Sequence, residues 1–160
     1  MKILFICTHN RCRSILAEAI TNAYGHGVLK AESAGSEPAG EVHPMTLEML
    51  QASGIAVDSL YSKSWDVMTD IEPDVVITVC DSAGRESCPV WLGHATKIHW
   101  GLPDPSALKG EKDIKYMAFR RIMNVLESRV KRVVNLVEKG SGLQEIEAGL
   151  RAIGEETVEI

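Results

Sequence analysis

The sequence predicts an α/β fold, a four-stranded parallel sheet flanked by helices. Three observations carry this. A short apolar run, Lys2-Ile3-Leu4-Phe5-Ile6-Cys7, opens the chain and reads as a buried strand. A second run, Asp74-Val75-Val76-Ile77-Thr78-Val79-Cys80, is rich in β-branched residues, as strands covered on both faces are. Apolar residues at helical spacing separate and follow these runs, and strands alternating with helices make a parallel sheet.

The elements follow in order. After the first strand comes a polar stretch from Thr8 to Arg13, then Ser14, a good helix N-cap. Ile15, Leu16, Ala19, Ile20 and Ala23 recur at helical spacing, and Gly25 offers a stop. Residues 28–34 predict a second strand of low apolar content. Pro44 suits a first helical position, and Met45, Leu47 and Leu50 continue a short helix to Gly54. Residues 74–80 form the third strand and 96–99 the fourth. Ile114, Met117, Ala118, Ile122, Val125, Leu126, Val130, Val133 and Val137 mark a long amphipathic helix that Gly140 ends. Residues 1–140 thus read as one catalytic-type domain. Residues 141–160 read as a tail, solvated or loosely docked by default, with room for one short helix.

The chain has 160 residues, enough for one domain that buries a core without disulfide staples. Net charge is −5, which argues against a broad nucleic-acid surface. An anionic substrate must therefore be drawn by a local positive site. No apolar run reaches membrane-spanning length, and the opening run is too short for a secretory signal. The protein reads as cytoplasmic. Four cysteines, Cys7, Cys12, Cys80 and Cys88, are then better read as catalytic, metal-binding or buried than as structural disulfides.

Functional loops of a parallel sheet lie at the carboxyl ends of its strands. Cys7 and Cys80 both sit at such ends. Cys7 and Arg13 are separated by five residues, and the loop lies between a strand and a helix. Backbone N–H groups of Thr8, His9, Asn10, Arg11, Cys12 and Arg13 can turn inward as an anion nest. The helix N-terminus adds partial positive charge. Arg13 can hold two oxygens of a tetrahedral oxyanion. The same field predicts a Cys7 thiolate, with a pKa of about 3.5–7.5, and Ser14 is placed to donate to it. Cys7 is accordingly the expected nucleophile. The bland alternative is a strand-end cysteine beside an unrelated surface arginine.

At Cys7-Thr8-His9-Asn10-Arg11-Cys12-Arg13-Ser14 the chain resembles the low-molecular-weight tyrosine phosphatase family, a flavodoxin-like three-layer scaffold. His9 stands where that family usually has Gly, so a side chain there could narrow the mouth or alter the backbone. The second strand of thiols, Cys80 followed by Cys88-Pro89, together with His99-Trp100-Gly101 and Asp104-Pro105-Ser106, resembles the thioredoxin-coupled arsenate reductase branch. The resemblance spans about residues 2–138. It implies that Cys7 attacks arsenate, that Asp104 is the general acid, and that Cys80 and then Cys88 resolve the adduct by thiol–disulfide exchange. It implies no cofactor, and an external dithiol, thioredoxin or glutaredoxin, as reductant.

Other readings stay open on residues alone. A plain phosphate-monoester phosphatase with incidental Cys80 and Cys88 is one. A non-enzymatic arsenite- or metal-binding thiol protein is another, although the cysteines lack the tight pairs of structural zinc sites. Asp-Pro is also a common turn starter. Some family members hold a potassium ion with groups matching Asn10, Glu18 and Ser33 plus an acidic residue. Here Lys63 takes the place of that acidic residue, and its ammonium could stand in for the cation.

Overall fold

The computed structural model describes residues 1–85, 89 and 92–160. Its sheet has the order β2-β1-β3-β4, all parallel. The strands are β1 (Lys2–Cys7), β2 (Lys30–Gly35), β3 (Val75–Thr78) and β4 (Thr96–His99). The helices are α1 (Arg13–Tyr24), α2 (Pro44–Ala52), α3 (Asp81–Arg85), α4 (Lys112–Glu138) and α5 (Leu143–Gly154). The sheet is flanked by these helices in a three-layer α/β arrangement, as the sequence predicts.

The central strands β1 and β3 are buried along nearly their whole length, which is why their sequences are apolar without alternation. Strand β2 sits at one side of the sheet and alternates more, so its signal is weaker. The strand order reverses between β1 and β3. Ligands of open α/β sheets bind at such a switch point, outside the carboxyl ends of the strands. Cys7 ends β1, and Val79 N–H donates to the Ile6 carbonyl at 3.0 Å, which brings the residues after β3 level with the loop after β1.

Three differences from the sequence expectation have physical reasons. Helix α1 begins at Arg13, with Cys12 and not Ser14 at the N-cap and no side-chain cap. The loop residues supply its first-turn geometry instead. The α4 stripe starts later than its apolar residues suggest: Ile114 and Met117 are exposed, because this first turn extends past the core, whereas Phe119, Ile122, Leu126, Val130 and Val133 are buried. Residues after Gly140 include a helix with one buried face. Helix α5 docks Ile146, Leu150 and Ile153 into the core, and Trp100 Nε1 donates to the Leu150 carbonyl at 2.9 Å. No helix among the described residues is long and apolar enough to cross a membrane.

Candidate active site

The loop after β1 is built by its carbonyls. Those of Thr8, His9 and Arg11 accept from the N–H groups of Glu37, Ala39 and His43, each at 2.9 Å. A trans peptide points its C=O and N–H in opposite directions, and no peptide here is cis. The N–H groups that follow, on His9, Asn10 and Cys12, therefore turn away from residues 37–43. The His9 N–H reaches the Cys7 sulfur. These groups belong to the stretch that the sequence offers as an anion nest.

Asn10 is the keystone. It is fully buried and takes φ = 46°, a left-handed conformation that Asn tolerates. Its Nδ2 donates to Ser14 Oγ (2.8 Å) and Ser33 Oγ (2.9 Å), and its Oδ1 accepts from Lys63 N–H (2.9 Å). His9 needs no such conformation, so the position usual for Gly tolerates a side chain here. Its ring turns outward to the Glu37 carbonyl at 3.1 Å. Glycine is instead required at Gly35, which pairs with Cys7 in the sheet: a Cβ there would lie 2.5 Å from the Thr8 carbonyl oxygen. The Ser14 hydroxyl is engaged as acceptor of Asn10, and no bond from it to Cys7 is present among the described residues.

Lys63 is buried beneath the loop. Its Nζ lies 3.0 Å from Glu18 Oε1, 3.2 Å from the Tyr61 carbonyl and 3.5 Å from Ser33 Oγ, and Ser33 Oγ donates to Glu18 at 2.8 Å. An ammonium thus fills the oxygen cluster, and a potassium ion among Asn10, Glu18 and Ser33 does not fit beside it.

Arg13 and Asp104 face each other across the mouth, with Arg13 Nη2 3.6 Å from Asp104 Oδ2. Arg13 Nη1 donates to the Leu102 carbonyl at 3.0 Å. Asp104 Oδ1 accepts from Ser106 N–H (2.9 Å) and Oγ (2.6 Å), which leaves Oδ2 toward Arg13. Ser106 is thus the residue that orients Asp104. Arg11 is exposed on the outer rim. Cys12 is buried beneath the loop; burial pushes its thiol up to about 12, so it stays protonated and inert.

Cys80 meets Cys7. The two thiols are hydrogen-bonded, and both are buried. Two sulfurs in one hydrogen bond share one proton and titrate as a pair. The bond to Cys80 and then burial push the Cys7 thiol up, against the lowering by Arg13 and the His9 N–H. The bond from Cys7 pulls Cys80 down to about 5, helped by Ala83 N–H (3.4 Å) and Thr8 Oγ1 (3.6 Å). The pair thus titrates together, its mutual bond raising Cys7 and lowering Cys80, which runs against the sequence expectation of a lowered Cys7 although Arg13 and the His9 N–H act in the expected direction. Cys88 lies outside the described residues.

Residues 2–143 match the family described as low molecular weight phosphotyrosine protein phosphatase. An arsenate reductase of Shouchella clausii is 31% identical over 130 residues, 81% of this chain and 92% of that one. A solved arsenate reductase in the phosphate binding state superposes with a TM-score of 0.68 at 28% identity, covering 84% of this chain and 96% of the other. The thioredoxin-dependent arsenate reductase of Corynebacterium glutamicum gives a TM-score of 0.64 at 29% identity, covering 88% of this chain and 63% of that one.

Proposed function

We propose that this chain, which belongs to the low molecular weight phosphotyrosine protein phosphatase family, reduces arsenate to arsenite. The observation that carries the reading is the contact between Cys7 and Cys80 at the head of β1 and β3. A phosphatase needs one sulfur at this place; a reductase needs two. The arsenate reductases of similar sequence and fold support the same choice.

The steps follow from the groups present. The loop N–H groups and Arg13 hold the oxyanion, and a solved arsenate reductase of similar fold is in a phosphate binding state. Cys7 sulfur attacks arsenic, and one arsenate oxygen departs as water. Asp104 delivers the proton, whose net source is the Cys7 thiol. The Cys80 thiolate then attacks Cys7 sulfur. The sulfur–arsenic electron pair leaves with arsenic, which passes from As(V) to As(III) and takes up protons as arsenite. Cys88 attacks Cys80, frees Cys7 and leaves a Cys80–Cys88 disulfide. An external dithiol protein, thioredoxin or glutaredoxin, removes it, and no prosthetic group takes part. Lys63 replaces potassium, so added potassium leaves the rate unchanged; strong activation would reject that role.

The test is a thiol count on reduced protein given excess arsenate and no reductant. Two thiols disappear into a Cys80–Cys88 bond, and Cys88→Ser traps Cys7–Cys80 instead. Steady phosphate-ester hydrolysis with no thiol loss would sink the reductase reading.

A further inference from the structure

We infer that His99 is a positioning residue of the thiol relay: its ring bridges Thr78 and Asp81 and so fixes the segment that carries Cys80 against Cys7. The inference rests on the reductase reading and deepens it. The ring spans the chain that leaves β3. Its Nδ1 is 2.7 Å from Oγ1 of Thr78, which ends β3, and its Nε2 is 3.2 Å from Oδ1 of Asp81, which begins α3. Cys80 stands between the two in sequence. A carboxylate only accepts, so the bond to Asp81 calls for a proton on Nε2. Thr78 Oγ1 then donates to Nδ1, and one tautomer serves both bonds.

Two glycines admit the ring. A Cβ on Gly84 would lie 2.9 Å from Nδ1; one on Gly101 would lie 3.0 Å from Nε2 and 3.3 Å from Asp81 Oδ1. Gly84 is on α3 and Gly101 follows β4, so the ring is wedged between these segments. Its fixed side is the sheet, where Thr78 is fully buried and pairs with His99 across β3 and β4. The turn of α3 that it touches also holds Cys80. Gly84 N–H donates to the Cys80 carbonyl at 3.1 Å, and Ala83 N–H to the Cys80 sulfur at 3.4 Å. A ring that grips Asp81 and abuts Gly84 sets where those donors stand, and through them where the sulfur stands.

The relay depends on that placement. The Cys80 sulfur must meet Cys7 sulfur so that a sulfur–sulfur bond forms as arsenic leaves with the electron pair. Small displacements of a reacting atom cost large factors in rate. The Asp81 end of the bridge is largely exposed and contributes little to folding. Rate and stability therefore part company at this bridge, which separates positioning from a structural role.

The test follows the appearance of the Cys7–Cys80 bond in the Cys88→Ser chain at saturating arsenate. Asp81→Ala and His99→Asn, which lose the Asp81 arm, should each slow it about tenfold or more. Asp81→Asn keeps an accepting oxygen and should restore most of the rate. Thermal unfolding and the affinity of the loop for inorganic phosphate should not change. Equal rates throughout overturn the inference. So does Asp81→Asn as slow as Asp81→Ala, or a loss that tracks unfolding or phosphate affinity. A Cys88→Ser parent that forms no Cys7–Cys80 bond defeats the reductase reading instead, and the thiolate absorbance of the arsenate-free protein then decides. Removing a negative charge beside Cys80 would by itself move its step below about 5, whereas losing its place moves the step upward. A downward or absent shift in Asp81→Ala overturns the placing of Cys80 by His99.

Discussion

The carboxyl ends of β1 and β3 lie side by side and are built in opposite ways. After β1, the chain is tied down in every direction: three loop carbonyls are bonded to residues 37–43, Asn10 is buried with three side-chain bonds, and Lys63 sits beneath. A twelve-residue helix then continues into the core. After β3, α3 has five residues, Asp81 and Ser82 are exposed, and among the described residues its side-chain ion pair is the partly exposed His99 Nε2–Asp81 Oδ1 at 3.2 Å. The difference matches two chemical tasks. An oxyanion must be met by donors that do not reorganise. A sulfur that bonds first to one cysteine and then to another needs a backbone held lightly.

The contrast can be broken most severely from below. Lys63→Met leaves Glu18 as an uncompensated buried charge, which costs about 3–5 kcal/mol. Thermal unfolding should show it, and added potassium should restore part of the loss by refilling the oxygen cluster. Gly35→Ala comes next. Its Cβ pushes the Thr8 carbonyl, and a shift of the loop by a fraction of an ångström should lower kcat/KM by about 10²-fold. Stability measured beside the rate separates misplacement from unfolding.

The proton in the Cys7–Cys80 pair sharpens the comparison without changing the fold. Ultraviolet thiolate absorbance of the arsenate-free protein should rise with pH through about 5, the lowered Cys80 value, and persist above it. Below that pH the sulfur is protonated and the signal is lost. In Cys80→Ser the step should pass to Cys7, which loses its largest upward push and keeps the lowering by Arg13 and the His9 N–H. Removing Cys7 should shift it upward, because the hydrogen bond from Cys7 is the largest contribution to the lowering. The smallest effect belongs to Asp81→Ala. An exposed pair of this kind is worth at most about 1 kcal/mol, so unfolding should scarcely register it.

Legibility followed chain distance. Cys7 and Arg13 were readable because the loop is made of consecutive residues between a strand and a helix. The contact of Cys7 with Cys80 was not, because it depends on β3 lying beside β1, and strand order leaves no mark in spacing. Asp104 could be named from its resemblance, but its orientation comes from Ser106 and its pairing from Arg13. Gly35 escaped notice because its need for no side chain comes from a loop elsewhere in the sequence. Helix α3 was missed because five residues carry too little periodicity. Room for a short helix after Gly140 is visible in the sequence, but what it covers is not.

That cover has a consequence for how the molecule behaves among copies of itself. Strand β4 is the last of its sheet, and an outermost strand offers unpaired backbone groups to any passing chain. Helix α5 blunts that invitation: Arg151 Nη1 reaches the Lys97 carbonyl at 3.4 Å, and Thr96 Oγ1 donates to Glu147 Oε1 at 2.5 Å. Cutting the chain at Gly140 would bare this rim together with the apolar surface under Leu150. The shortened protein is then expected to self-associate, visible as concentration-dependent light scattering, before it loses its chemistry.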